Sequence, residues 1–170
     1  MSAATDRDRR RASRELALAV LCHLESYPAA EHAAAARVVL DAPPSGEGEG
    51  EDAFATLAGD AAARGFAEEL VALWREHHVE VDRLIEETSR SWRLSRMDRV
   101  DRNIVRLATT ELLARADVPR AAVLSEAVRL ASRYGSERSA AFVNGLVEAL
   151  AKRLRPAGDG GATGEPGAGA

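Results

Sequence analysis

FAEELVALWREHHVEVDRLI, residues 66–85, is the stretch that decides the fold of this chain. Its predicted inward-facing positions recur at steps of three and four residues over about five turns, which is the spacing of an amphipathic helix. The residues on this face are Phe66, Leu70, Leu73, Trp74, His77, Val81, Leu84 and Ile85. The period predicts one long helix that buries a single stripe of side chains.

The same helical period returns on both sides of this stretch. It predicts further helices over about 9–24, 30–40, 100–112, 119–134 and 137–154. Tyr27-Pro28 follows the first of them, and Gly135 suits the C-terminal end of another. No segment alternates with the period of two that is typical of a strand. The chain is therefore predicted to be all-α.

Length and composition indicate one soluble domain. The chain has 170 residues, of which 46% are apolar and 29% charged, and its net charge is −4. Cys22 is the only cysteine, so no internal disulfide can form, and a reducing cytoplasm is the expected location. No apolar run approaches the roughly 20 residues of a membrane span, and no signal peptide is expected.

Two segments differ from the helical pattern in composition. Residues 42–52, APPSGEGEGED, combine proline, glycine and acidic residues and are predicted to form a flexible acidic insert. Residues 156–170 are rich in glycine and alanine without any period and are predicted to be a disordered C-terminal tail. The helical domain is therefore expected to cover residues 7–155.

Residues that commonly carry catalysis or bind metals are few and scattered. The histidines at positions 23, 32, 77 and 78 show no metal-ligand spacing with one another or with Cys22. His77 is interpreted as a core histidine and Cys22 as a small packing residue. No glycine-rich phosphate loop follows a strand. We therefore expect no enzymatic activity, no metal and no cofactor.

An arginine cluster opens the chain although its net charge is negative. Four arginines lie between positions 7 and 11, and Arg14 follows them. On a helix, Arg7, Arg11 and Arg14 share one stripe and repel one another, a cost that a polyanionic ligand would offset. A frayed, solvated terminus is the alternative interpretation. The cluster is therefore a candidate nucleic-acid site.

A glycine interrupts the last predicted helix. Gly145, in FVNGLVEAL at residues 142–150, lies within a strong helical pattern, where glycine costs about 1 kcal/mol relative to alanine. Either a neighbouring helix passes close to it, or its backbone is exposed to a ligand. We expect the first of these, with overpacking of about 1–3 kcal/mol when leucine replaces it.

Several short motifs, taken in order, resemble the NusB family of bacterial transcription antitermination factors. They are RRRASRELALAVL at 9–21, RLATTEL at 106–112, DVP at 117–119, SEAVRLA at 125–131 before Tyr134-Gly135, and FVNG at 142–145. The resemblance extends over about residues 7–155, apart from the region 42–60. It implies a bundle of about six to seven helices in two packed three-helix subdomains.

The resemblance also implies a function and its residues. Members of the family bind boxA single-stranded RNA in transcripts of ribosomal RNA operons, together with the small-subunit ribosomal protein NusE, and act on elongating RNA polymerase. The RNA-binding positions that it implies are Arg7, Arg10, Arg11, Arg14, Arg138 and Phe142. The partner-binding positions that it implies are Cys22 and Asp101, and the Asp101 carboxylate is expected to point outwards from the start of its helix.

Three positions depart from the family pattern, and two other functions stay open. Ser125 replaces a common asparagine, Arg138 a common acidic residue, and Cys22 a common aromatic residue.

One alternative is a stand-alone NusB-like RNA-binding domain associated with a ribosomal RNA methyltransferase. The other is a purely structural helical adaptor whose arginines bind nothing. RNA binding distinguishes the adaptor from the first two functions.

Overall fold

Helices form throughout the part of the chain that the computed structural model describes, which is residues 5–43 and 59–156. In this part there are six α-helices and no strand, so the all-α prediction is confirmed. The helices are α1 (Asp6–Leu24), α2 (His32–Asp41), α3 (Ala61–Thr88), α4 (Arg99–Ala114), α5 (Arg120–Tyr134) and α6 (Ser139–Leu154). Single 3₁₀ turns at Ala29–Glu31 and Leu94–Arg96 precede α2 and α4.

Side-chain hydrogen bonds cap several helix ends, which the apolar period of the sequence does not locate. α1 begins with a reciprocal pair in which the Asp8 amide donates to Thr5 Oγ1 at 3.2 Å and the Thr5 amide to Asp8 Oδ2 at 3.1 Å. Asp60 Oδ1 accepts from the first amides of α3. At the other end of α4, the Arg155 guanidinium donates to the carbonyls of Leu112, Val118, Glu111 and Arg115. These bonds satisfy carbonyls that a helix terminus leaves without partners.

The helices form two groups of three that share a core. α1 contacts α2 and α3, whereas α4, α5 and α6 contact one another. The groups meet where α3 and α1 lie against α4. This arrangement agrees with the expected pair of three-helix subdomains, and it places the N-terminal turns of α1 beside α4 and α5.

The predicted apolar face of α3 faces the core, but the buried residues at its edges differ from the predicted ones. Leu70, Trp74, Val81, Leu84 and Ile85 are buried as predicted. Three other predicted core positions, Phe66, Leu73 and His77, are only half-buried, whereas Val71 is buried. The buried face of α3 is set by two neighbours, because α3 packs against both α1 and α4.

The structure reverses the expectation about which glycine is crowded by its neighbours. A Cβ atom at Gly145 would meet nothing within 4 Å, so the predicted close helix at this position is wrong. Gly135 is the crowded position, because its Cβ would lie 2.4 Å from Ser139 Cβ and 2.7 Å from the carbonyl oxygen of Ala131. The backbone of Gly135 has φ −91°, so contact and not a left-handed conformation requires glycine there.

The two segments predicted to lack regular structure fall almost entirely outside the described residues. Only Ala42 and Pro43 of the acidic insert, and Pro156 of the tail, belong to the described part. Both predictions therefore stay predictions. No helix among the described residues is both long enough and apolar enough to cross a membrane.

Candidate RNA-binding site

The N-terminal arginines line one groove between α1 and the start of α5. The groove has a volume of about 440 Å³, and its lining includes Arg7, Arg10, Arg11 and Arg14 from α1 and Asp117, Pro119 and Ser125 on the opposite side. Arg7 is exposed, and Arg10 and Arg11 are half-buried. Helix α1 brings these side chains to one side because they are spaced by three or four residues.

Carboxylates of the same molecule balance most of the cluster. Arg10 Nε lies 3.0 Å from an Asp6 oxygen, and Arg11 Nε lies 3.0 Å from Glu126 Oε1. Arg9 Nε lies 3.3 Å from Asp60 Oδ2. The expected repulsion is therefore offset within the folded chain without a polyanion, by Asp6 four residues before Arg10 and by Asp60 and Glu126, which are distant in the sequence.

Arg14 also lines the groove, but its side chain is largely buried. Its side chain donates to both Glu111 oxygens at 2.8 Å, and Arg14 and Glu111 are 7% and 3% exposed. Two nitrogens of the Arg14 guanidinium are thus bound to Glu111, and direct contact of Arg14 with RNA stays a prediction. The bidentate pair instead anchors the arginine-bearing turns of α1 to α4.

A second ion-pair network fixes α1 against α5. Arg129 donates to Glu126 Oε2 at 2.9 Å and to Glu15 Oε1 at 2.6 Å, and the Tyr134 hydroxyl donates to Glu15 Oε2 at 2.7 Å. Burial would raise the pKa of Glu126, yet hydrogen bonds from Arg129 and Arg11 hold that pKa below its ordinary value. Glu126 therefore keeps its charge and positions Arg11 along the groove.

Arg138 and Phe142 lie elsewhere. Arg138 is exposed immediately before α6, and Phe142 lines a different groove together with Trp92 and Gly145. Neither residue lines the groove of the N-terminal arginines. The implied RNA-binding positions therefore fall into two regions of the described surface.

Cys22 and Asp101 occupy the region expected to bind a protein partner. Cys22 is half-buried against the core, and burial followed by the nearby Glu25 charge raises the pKa of its thiol to about 11. The thiol is therefore neutral at pH 7, as a packing residue would be. Asp101 is only 6% exposed, because Ser139 at the start of α6 lies against it, so the expected outward-pointing carboxylate is wrong.

The buried Asp101 carboxylate carries an electrostatic cost. Its Oδ1 atom accepts no hydrogen bond from the described residues. Burial raises the pKa of Asp101, the Ser139 side chain partly lowers it, and the charge of Asp98 raises it further. The native state therefore holds a proton on Asp101 at a pH at which the unfolded chain has lost it.

Replacing Asp101 by asparagine is expected to raise the free energy of unfolding at neutral pH. The wild-type chain loses stability as the pH rises from the ordinary carboxyl pKa through the raised native pKa, and asparagine has no charge to lose. The advantage of the variant should thus grow over this interval and then level off. Denaturant unfolding from about pH 3 to pH 8 measures it, with exposed Glu76→Gln as the control. Equal stabilities of wild type and Asp101→Asn at neutral pH would contradict the assignment.

Glu25 is a residue of this region that the sequence pattern missed. It accepts two hydrogen bonds from Arg102 at 2.7 Å and one from Arg106 at 2.9 Å, while Arg106 also binds Asp82. Burial alone would raise the pKa of Glu25, but these guanidinium groups hold it below its usual range. The network joins the end of α1 to α3 and α4. Its only sequence signal is a single acidic residue after an apolar helix.

No group of three or more potential metal ligands is positioned to hold an ion in residues 5–43 and 59–156.

Comparison with known proteins identifies what the chain is similar to. Residues 11–152 match the NusB family. The transcription antitermination protein NusB of Geobacter sulfurreducens is 40% identical over 145 residues, which cover 85% of this chain and 95% of that protein. The protein of the same name from Sorangium cellulosum is 51% identical over 96 residues, or 56% of this chain and 69% of that protein. The structure of T. maritima NusB superimposes with a TM-score of 0.64 at 29% identity, covering 89% of this chain and 93% of that one.

Proposed function

The chain belongs to the NusB family, and we propose on that basis that it is a transcription antitermination factor. It binds boxA-type single-stranded RNA of ribosomal RNA operon transcripts together with NusE, and the complex acts on elongating RNA polymerase in the cytoplasm. It needs no cofactor and catalyses no reaction. The observation that supports RNA binding most directly is the groove in which Arg7, Arg10 and Arg11 lie side by side.

Arginine suits this role for a physical reason. Its guanidinium stays charged at all physiological pH values and binds phosphate oxygens with two parallel hydrogen bonds. Arg7 makes no ion pair within the described residues. Arg10 has one carboxylate partner, the exposed Asp6, which a phosphate can replace. Arg11 has one partner, the buried Glu126, but its own side chain is about one-third exposed. Arg14 supports them through its ion pair with Glu111.

Replacing Arg7, Arg10 and Arg11 together by glutamine is expected to weaken binding of a labelled boxA-type RNA and to reduce its salt dependence. Each lost phosphate contact should lower the slope of log affinity against log salt by about 0.7. Fluorescence anisotropy titrations at several salt concentrations measure this slope. Arg37→Gln on the exposed face of α2 is the matched control, which should retain the parental slope. A triple variant with the parental slope would remove the arginine groove from the RNA site.

We propose that the protein partner covers the region of Cys22 and the first turn of α4. Because Cys22 is the only cysteine, its alkylation rate reports on this region alone. Adding purified NusE should slow alkylation of Cys22 by N-ethylmaleimide, as followed by mass spectrometry, whereas RNA alone should leave the rate unchanged. Since Asp101 is buried, its part in binding is to shape this surface, and the conservative Asp101→Asn is the variant to compare.

The match to 95% of a stand-alone antitermination protein supports this function over a domain that serves a methyltransferase. The structural adaptor without RNA remains an outcome of the salt titration. If the chain is such an adaptor, the parent chain will not bind RNA but will still bind NusE.

A further inference from the structure

The first turns of α3 contact the arginine-bearing turns of α1. Asp60, which caps α3, lies 3.3 Å from Arg9 Nε. Farther along α3, the Phe66 ring lies under the Arg10 guanidinium, with 4.7 Å between Arg10 Cζ and the ring centroid. In the described part of the chain, Arg10 is the only α1 arginine that lies over an aromatic ring. This contact joins a residue of the arginine groove to a helix outside it.

Phe66 supports Arg10 from outside the groove. Arg10 lines the groove of the N-terminal arginines, whereas Phe66 does not. Both residues line a much smaller space, which also touches the buried pair of Arg14 and Glu111. The volume of this space is about 10 Å³, which is hardly enough for one water molecule. A ligand in the groove therefore meets Arg10, and the ring of Phe66 stays behind it.

The apolar core does not account for an aromatic residue at position 66. The period of α3 predicts Phe66 as a core residue, but it is half-buried and is not among the side chains that pack against the core of the described residues. One turn later, Leu70 is buried in that core. The face of an aromatic ring carries a partial negative charge and attracts a guanidinium. The contact with Arg10 therefore explains the ring.

Otherwise Arg10 is held only weakly. Within the described residues its one hydrogen bond runs from Nε to Asp6 at 3.0 Å, and the Asp6 side chain is 69% exposed. An exposed pair of this kind stabilises little and is weakened by salt. The two terminal nitrogens of Arg10 have no hydrogen bond in this part of the chain, so they are available for two parallel bonds to a phosphate. A phosphate can replace Asp6 while the ring keeps its contact with the guanidinium.

We infer that Phe66 is a positioning residue for RNA recognition, whose ring holds the Arg10 guanidinium in the groove without touching the RNA. This role rests on the proposed function and adds a residue to its site. An arginine that is already held loses less conformational freedom when a phosphate binds. Leucine in place of Phe66 keeps an apolar side chain and every charge of the groove, but it has no aromatic face for Arg10.

A double-mutant cycle between Phe66→Leu and Arg10→Gln tests this role. The affinity for labelled boxA-type RNA is measured by fluorescence anisotropy. Phe66→Leu alone should weaken binding by about 2- to 5-fold, a loss of the size of one exposed cation–π contact. In the Arg10→Gln background, Phe66→Leu should change nothing, because the guanidinium that the ring holds is gone.

Two further readouts separate positioning from loss of charge. Phe66→Leu should retain the parental salt slope, because it removes no phosphate-binding charge, whereas Arg10→Gln should lower the slope by about 0.7. Phe66→Tyr keeps an aromatic face and should retain the parental affinity. Leu73→Ala is the control for a change in stability alone. Leu73 is half-buried on the same helix and does not line the groove, so its truncation should leave RNA affinity unchanged.

The outcomes distinguish this role from the proposed function. An equal loss on Phe66→Leu with and without Arg10 would mean that Phe66 contacts the RNA itself or acts through the fold, and it would overturn the positioning role. The same holds if Phe66→Leu binds like the parent chain, or if Phe66→Tyr binds as weakly as Phe66→Leu. A parent chain that binds no boxA-type RNA would refute the proposed function, and the role of Phe66 with it.

Discussion

Replacing Arg14 by alanine is expected to lower the free energy of unfolding by about 3–5 kcal/mol. The variant removes one half of a bidentate ion pair and leaves the Glu111 carboxylate, 3% exposed, without its cation. An unpaired charge in such a place costs far more than the pair contributes, since Glu111 loses both hydrogen bonds that the guanidinium donates. Denaturant unfolding followed by circular dichroism measures the loss.

Two further variants test whether the loss of stability comes from the burial of the Arg14–Glu111 ion pair. Arg10→Ala removes a partly exposed arginine whose partner Asp6 is exposed, and it should cost less than about 1 kcal/mol. Arg14→Met combined with Glu111→Leu removes both charges and keeps the volume, so most of the lost stability should return. If Arg14→Ala and Arg10→Ala were equally stable, the Arg14 pair would not be buried in solution.

Replacing Gly135 by alanine is expected to lower the free energy of unfolding by about 2–3 kcal/mol through overpacking. The new methyl group would lie 2.4 Å from Ser139 Cβ and 2.7 Å from the Ala131 carbonyl oxygen. Ser139 is 1% exposed and its Oγ accepts the Ser136 amide at 2.8 Å, so it has no room to move. The connection between α5 and α6 would have to open.

Gly65→Ala is the matched control for this substitution. Gly65 lies inside α3 and nothing is within 4 Å of the place of its Cβ, so alanine should stabilise the chain by up to about 1 kcal/mol. Both variants make the same chemical change, and the unfolded chain is affected equally in both. Unfolding curves that shift in opposite directions are therefore expected. A shift in the same direction would contradict the crowding at Gly135.

Helix positions and their apolar stripes were predictable from the sequence because both depend on neighbours three and four residues away. The end of α1 before Tyr27-Pro28 and the period of α3 are examples. The exact edges of a stripe were not predictable. Whether Leu73 or Val71 is buried depends on the angle at which other helices cross α3, and that angle is not written in α3.

The arginines of the candidate site were predictable from the sequence, but the carboxylates that pair with them were not. The arginines of α1 and the motifs that resemble the NusB family are local features, and the family match confirms the membership. Apart from Asp6, which pairs with Arg10, the carboxylates that accept from these arginines are distant in the sequence: Arg14 and Glu111 are separated by 97 positions and Arg11 and Glu126 by 115. Glu111 did carry a signal, because it is a charge on the apolar face of α4.

The sequence alone therefore determined the helices, their order and the family, because each follows from short-range periodicity and short motifs. Only the tertiary structure decided which arginines are open to a ligand, that Asp101 is buried, and which glycine is crowded. These properties arise when α4, α5 and α6 pack against one another and against α1. Burial and electrostatic pairing depend on distances between groups far apart along the chain, and such distances exist only after the helices have packed.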